Sequence, residues 1–159
     1  MITLGSFIGD WQIAREIYHA GGAGGADARY ADALRADALE ANARFDGMAR
    51  FSADDAGLLM QETGQMQMAG QTFAATRRYH WRSDGDGIAV HFDDGRFFHR
   101  FSTTQTTASH WCDPDRYQVR YDFADWPVWH SVWQVEGPRK SYSMKSRFGR
   151  IYDQNTDIP

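Results

Sequence analysis

Residues 58–101 read LLMQETGQMQMAGQTFAATRRYHWRSDGDGIAVHFDDGRFFHRF. Large apolar side chains recur at every second position. Leu58, Met60, Met66 and Met68 share one side, followed by Phe73, Tyr79 and Trp81, then Ile88, Val90 and Phe92, then Phe97 and Phe101. A period of two is the mark of a strand with one buried face. Ala69-Gly70, Asp84-Gly85 and Asp94-Gly95 separate the runs, and Asp-Gly between alternating segments is a strong signal for a two-residue hairpin. With two-residue loops at all three places, Glu62 faces Arg77, Met60 faces Tyr79, Trp81 faces Ile88, Arg77 faces Phe92, Phe92 faces Phe97 and Val90 faces His99. A one-residue slip at any turn would move a whole apolar set to the wrong side. The three turns agree on one continuous apolar face, and this predicts an antiparallel meander.

Three charged or polar residues, Glu62, Arg77 and His99, fall in phase with that apolar side. Burying a charge costs several kcal/mol unless it is paired or used. An interior of this kind is therefore either a structural ion pair or a ligand site.

The same periodicity extends outward. Trp11, Ile13, Arg15 and Ile17 alternate on a first strand, and Phe45, Gly47, Ala49 and Phe51 on a second, which faces Glu62 with Gly47 if it turns at Asp54-Asp55. Between them, residues 20–42 are rich in Gly and Ala. The Ala-dense part at 26–41 predicts the one helix, in the first connection, as a surface element or a lid over the mouth. Thr106 to Trp111 and Tyr117 to Phe123 read as further strands. Val128 to Glu136 is apolar on both sides. A tight turn at Gly137-Pro138 places Trp129 and Trp133 inward, with Trp133 facing Tyr142, whereas a two-residue turn at Asp125-Trp126 would place them outward. A last strand runs from Lys140 to Ile151. The fold expected is all-β: a single domain over residues 1–159, an up-and-down antiparallel barrel of about 8–10 strands. Such a barrel removes exposed edges by closure and is wide enough for one small ligand.

Composition narrows the function. The formal net charge is −4, which argues against a nucleic-acid partner recognised by bulk electrostatics. The cationic run Arg139, Lys140, Lys145, Arg147 and Arg150 alternates as a solvated strand face does. Cys112 is the single cysteine, so no internal disulfide forms, and a reducing, cytoplasmic compartment is expected. Residues 1–9 lack the pattern of a secretory leader, and no run approaches the roughly 20 apolar residues of a membrane helix. No membrane partner is expected, and the oligomeric state is left open.

Gly9-Asp-Trp11 at the start of the first strand and Arg150 at the end of the last resemble the calycin superfamily of lipocalins and fatty-acid-binding proteins. The resemblance implies that Trp11 packs across Arg150 and closes one end of the barrel by cation–π stacking. More closely, the segments Gly9 to Arg15, Asp94 to His99, His110 to Asp115, Tyr117 to Phe123 and Gly137 to Lys140 resemble a bacterial family of lipocalin-like domains with no assigned activity. That supports a fold and leaves the function to the residues.

The residues leave several chemistries open. Glu62 and Arg77 form an ion pair, or Arg77, helped by Arg15, clamps the carboxylate or phosphate of a ligand. His99 is an interior histidine, or it works with His110, placed opposite it by a turn at Thr104-Gln105 and next to Tyr117, as an acid and base or toward a metal. No third ligand completes a metal centre, so no metal or cofactor is expected. Cys112 with His110 is too sparse a pair for a nucleophile site, and Asp113-Pro-Asp115 reads as a turn. The expected function is the binding of a small, partly apolar, anionic molecule inside the barrel. Met60, Tyr79, Phe101, Tyr117 and Tyr121 would give apolar contact, with Arg15, Arg77 and His99 as the polar anchor beside Glu62. An enzyme using His99 or Glu62 as general acid or base with Arg77 as anion stabiliser, and a ligand-free scaffold, are the alternatives.

Overall fold

A computed structural model describes residues 1–19 and 41–152. Ten strands follow in chain order: β1 (Gly9–His19), β2 (Ala43–Asp54), β3 (Gly57–Met68), β4 (Gln71–Asp84), β5 (Gly87–Phe92), β6 (Phe97–Phe101), β7 (Thr107–Cys112), β8 (Asp115–Asp122), β9 (Trp129–Glu136) and β10 (Ser141–Arg150). They form one antiparallel sheet in the order β6-β5-β4-β3-β2-β1-β10-β9-β8-β7. Except for β6 and β7, strands consecutive in the chain pair with each other, and β1 joins β10, so the sheet curls into a nearly closed up-and-down barrel. The helix and lid expected at 20–42 lie, but for the last two residues, outside the described residues.

The remaining gap lies between β6 and β7, which are consecutive in the chain but share no ladder. Side chains bridge it. His99 Nε2 and the Tyr121 hydroxyl are 2.8 Å apart, Phe101 stacks on Tyr121 with ring centroids at 4.0 Å, and Phe98 meets His110 and Tyr117 edge-on at 5.5 Å. This corrects the expected pairing of His99 with His110, because His110 pairs with Tyr117 on β8 instead.

The turns hold four further corrections. At Ala69-Gly70 the expected register is present: φ is +52° and +75° at the two loop residues, and Glu62 faces Arg77. The next loop is Gly85-Asp86, one residue later than expected, so Trp81 faces Val90 and Tyr79 faces Phe92. Gly85 takes φ +58° at the first loop position, the place a type II′ turn reserves for glycine. The β2–β3 loop is likewise Asp55-Ala56, so Ala49 rather than Gly47 faces Glu62. Between β9 and β10 the loop is longer, and Trp133 faces Met144. After Asp94-Gly95 the register slips at a bulge between Val90 and His91. The extra residue turns Phe97 outward, 51% exposed, and buries Phe98 completely.

One end of the barrel is packed solid. A short 3-10 turn, Leu4–Phe7, places Phe7 beneath Trp11, Phe51, Trp81, Phe123, Trp126 and Trp129, all with ring centroids within 6.4 Å. Trp129 lies flat on Phe148 at 3.7 Å. The connection at 123–128 spans six residues, so Trp129 points inward and the ambiguity of 128–136 is resolved. At the opposite end the β3–β4 hairpin leaves Met68 and Phe73 nearly half exposed.

Candidate functional site

The site is built on two glycines. Gly47 and Gly64 face each other across β2 and β3, and a Cβ on either would lie 2.3 Å from a carbonyl oxygen of the other strand. Their missing side chains leave the space over which the Phe45 ring lies. The Arg15 guanidinium sits over that ring, 5.2 Å from its centre. It reaches past β2 to donate from Nη1 and Nη2 to the two oxygens of Glu62, each at 2.8 Å, while its Nε donates to Ser146 Oγ at 2.6 Å. Arg15 and Glu62 are both buried. Burial alone would push the Glu62 carboxyl up, but the charge and hydrogen bonds of Arg15, aided by the charge of Arg77, hold it below the ordinary carboxylate value.

The interior ion pair is therefore Arg15–Glu62, which corrects the expected Glu62–Arg77 pair. Arg77 does face Glu62 across the ladder, but the two-pronged fork of Arg15 occupies the carboxylate. Among the described residues no carboxylate lies within ion-pair range of Arg77. Its guanidinium instead lies against aromatic faces, 5.6 Å from the Trp133 ring centre and 6.0 Å from that of Tyr79. Burial works against its charge, but Tyr79, Glu62 and Tyr142 favour the cation and raise its pKa. Tyr79 stays neutral, pushed up to about 12 mainly by burial.

His99 is buried at the seam, and burial with the neighbouring His110 pushes it down to about 3, so the ring is neutral. Its Nδ1 has no hydrogen-bond partner among the described residues. Tyr121, wholly buried, has its hydroxyl well above its ordinary value. His110 and Tyr117 are half-buried on β7 and β8, apart from the arginines. Among the described residues no group of three His, Cys, Asp or Glu is placed to hold a metal ion.

At the packed end, Arg150 faces Trp11 in register and lies 4.2 Å over its ring. Arg150 also donates to the carbonyls of Ile8, at 2.8 Å, and Ser6, while Trp11 Nε1 donates to Phe7 O at 2.8 Å. Gly9 fits here for two reasons: its φ is +122°, and a Cβ would lie 2.9 Å from Arg150 Nη1.

Space is unevenly distributed. Met60, Tyr79, Phe101 and Tyr121 are buried in the core, and a residual cavity of about 20 Å³ remains beside Arg15 and Glu62, walled by Trp81, Tyr121, Trp129 and Ser131. Ser146 also belongs to the site, as do Phe45 and Trp133, which the sequence pattern marks only as apolar residues of their strands. Ser146 carried a usable signal, being a small polar residue in phase between Met144 and Phe148.

A family model covers residues 7–150, from the turn that seals the barrel to the arginine that closes it. The chain belongs to a family of unknown function, DUF6314. The match takes in every strand and both members of the Arg15–Glu62 pair. No curated protein matches the chain.

Proposed function

We propose that this DUF6314 member is a lipocalin-like carrier that holds a small, partly apolar anion in the half of its barrel opposite the packed end, with Arg77 as the anchor. The observation that carries this reading is the state of Arg77: a partly buried cation without a carboxylate among the described residues, while Glu62, which it faces, is committed to Arg15. Counting Arg15, Glu62 and Arg77 leaves one positive charge inside, and a monoanion balances it. Trp133 and Tyr79 flank the guanidinium, whose fork of N–H donors suits a planar acceptor. Met66, Met68 and Phe73 on the same β3–β4 hairpin supply apolar surface toward the rim.

The 20 Å³ beside Glu62 is too small for an organic ligand, so binding is confined to the Arg77 half. The same filled core supports the scaffold reading. Catalysis by Glu62 or His99 has less support: one is held ionised in a fork, and the other is a very weak base behind Tyr121.

Native mass spectrometry of freshly purified protein, followed by solvent extraction, tests for a bound anion. Titration with the anionic dye anilinonaphthalene sulfonate supplies a defined probe. Arg77→Leu should keep the fold and lose both the extracted species and the dye. A wild-type protein that carries nothing and binds no dye, or a folded Arg77→Leu that binds as wild type does, overturns the proposal.

A further inference from the structure

Two indole donors in the packed half of the barrel have no acceptor. Trp81 and Trp129 are 2% and 1% exposed, and Nε1 of each lacks a hydrogen-bond partner among the described residues. An indole N–H can only donate, and a buried donor without an acceptor is costly. Both residues wall the same small cavity, with ring centroids 6.2 Å apart. The cavity's volume of about 20 Å³ exceeds the roughly 10–15 Å³ needed to seat a water.

We propose that this cavity is a binding site for a single integral water, which accepts from the indoles of Trp81 and Trp129 and donates toward Glu62 and Ser131. The choice of water over an anion follows from the opposite wall. Glu62 carries a full negative charge there, and each of its oxygens, already taking one bond from Arg15, has a lone pair left. A halide would satisfy the indoles but would be repelled by the carboxylate and could give it nothing. Water alone at this size both accepts and donates. The site does not depend on what binds at Arg77. It makes the water part of the wall that supports the Arg15–Glu62 fork.

A high-resolution crystal structure of the full chain tests this. The expected result is one density peak at about 2.9 Å from both Nε1 atoms, an ordinary N–H···O distance. In solution, the indole N–H resonances of Trp81 and Trp129, assigned with Trp81→Phe and Trp129→Phe, should show cross-relaxation with a long-lived water. Crystals soaked in bromide should show no anomalous peak in the cavity. An empty cavity, one that fills with xenon, a bromide peak there, or indole protons without a water cross-peak would each overturn the assignment.

Discussion

Arg15 and Glu62 stand on strands that do not touch, yet they form a two-pronged ion pair with both contacts at 2.8 Å. The intervening strand contributes Gly47 at the crossing point, with Gly64 beside it, and the arginine passes over the Phe45 ring that fills their place. The pair is buried, so its two halves stabilise the fold only together.

Glu62→Leu should therefore destabilise by about 3–5 kcal/mol, the range for leaving a buried charge without its partner. Arg15→Met alone should do the same. The double variant Arg15→Met, Glu62→Leu should recover most of the loss, since an apolar replacement of a buried pair is often neutral. Urea denaturation of the four proteins gives the coupling. Additive losses would mean that the pair is not energetically linked.

Acid should weaken the protein, and two buried groups, Glu62 and His99, act with the same sign. Glu62 is depressed in the folded state, so its contribution is present above the ordinary carboxylate value and is lost as pH falls through the lower folded value. His99 is depressed from 6.5 to about 3, so the unfolded chain takes up its proton first, and stability falls from about pH 6.5 downward. Thermal melts across pH should be flat above neutrality and decline below pH 6.5. His99→Gln, which keeps a hydrogen-bonding group for Tyr121, should flatten the part of the decline above pH 4.5. An unchanged slope would assign that part to other groups.

What the sequence made legible was parity. Alternation fixes which side of a strand is buried, and the loops after Asp54, Asp84 and Gly137 were misplaced by amounts that shift pairing by two residues, which leaves every side chain on its correct face. The inward placement of Glu62, Arg77 and His99 is therefore unaffected by those errors. Partner choice was not legible, because a strand register says who is adjacent and not how far an arginine reaches. The bulge at Val90/His91 was also hidden: Phe97 and Phe98 are identical in type, and alternation alone cannot say which of two phenylalanines carries the extra residue.

Gly9 tests the sealed end. Its φ of +122° strains any side chain, and a Cβ would meet Arg150 Nη1 at 2.9 Å and displace it. Gly9→Ala should cost about 1–3 kcal/mol, as a non-glycine residue held in a sparsely populated backbone region does. Arg150→Ala should lose the contacts to Trp11 and to the Ile8 and Ser6 carbonyls in the same region, so the two losses should be less than additive. Denaturant midpoints of both singles and the double decide it, and full additivity would separate the glycine from the closure.

Arg77 should behave in the opposite way to Arg15. With no carboxylate to leave behind, Arg77→Leu removes a partly desolvated cation from between two rings and should change stability by less than about 1 kcal/mol in either direction. A thermal melt without added ligand measures it. A loss as large as that of Arg15→Met would make Arg77 a structural residue.

The seam between β6 and β7 is held by Phe98, which is fully buried and stacks on Phe92 at 4.5 Å while meeting Trp133 at 5.1 Å and His110 and Tyr117 at 5.5 Å. No ladder supports this edge of the sheet, so side-chain packing has to do so. Phe98→Ala should cost about 3–5 kcal/mol, the usual range for a buried phenylalanine. Phe97→Ala, one position away and half exposed, should stay within about 0.5 kcal/mol, as surface substitutions do. Equal losses at the two positions in urea titrations would mean that the strand is not bulged there. Hydrogen exchange of the β6 amides adds a second check: in Phe98→Ala they should exchange faster than those of β3, because the seam has no ladder and loses one of the side chains that bridge it.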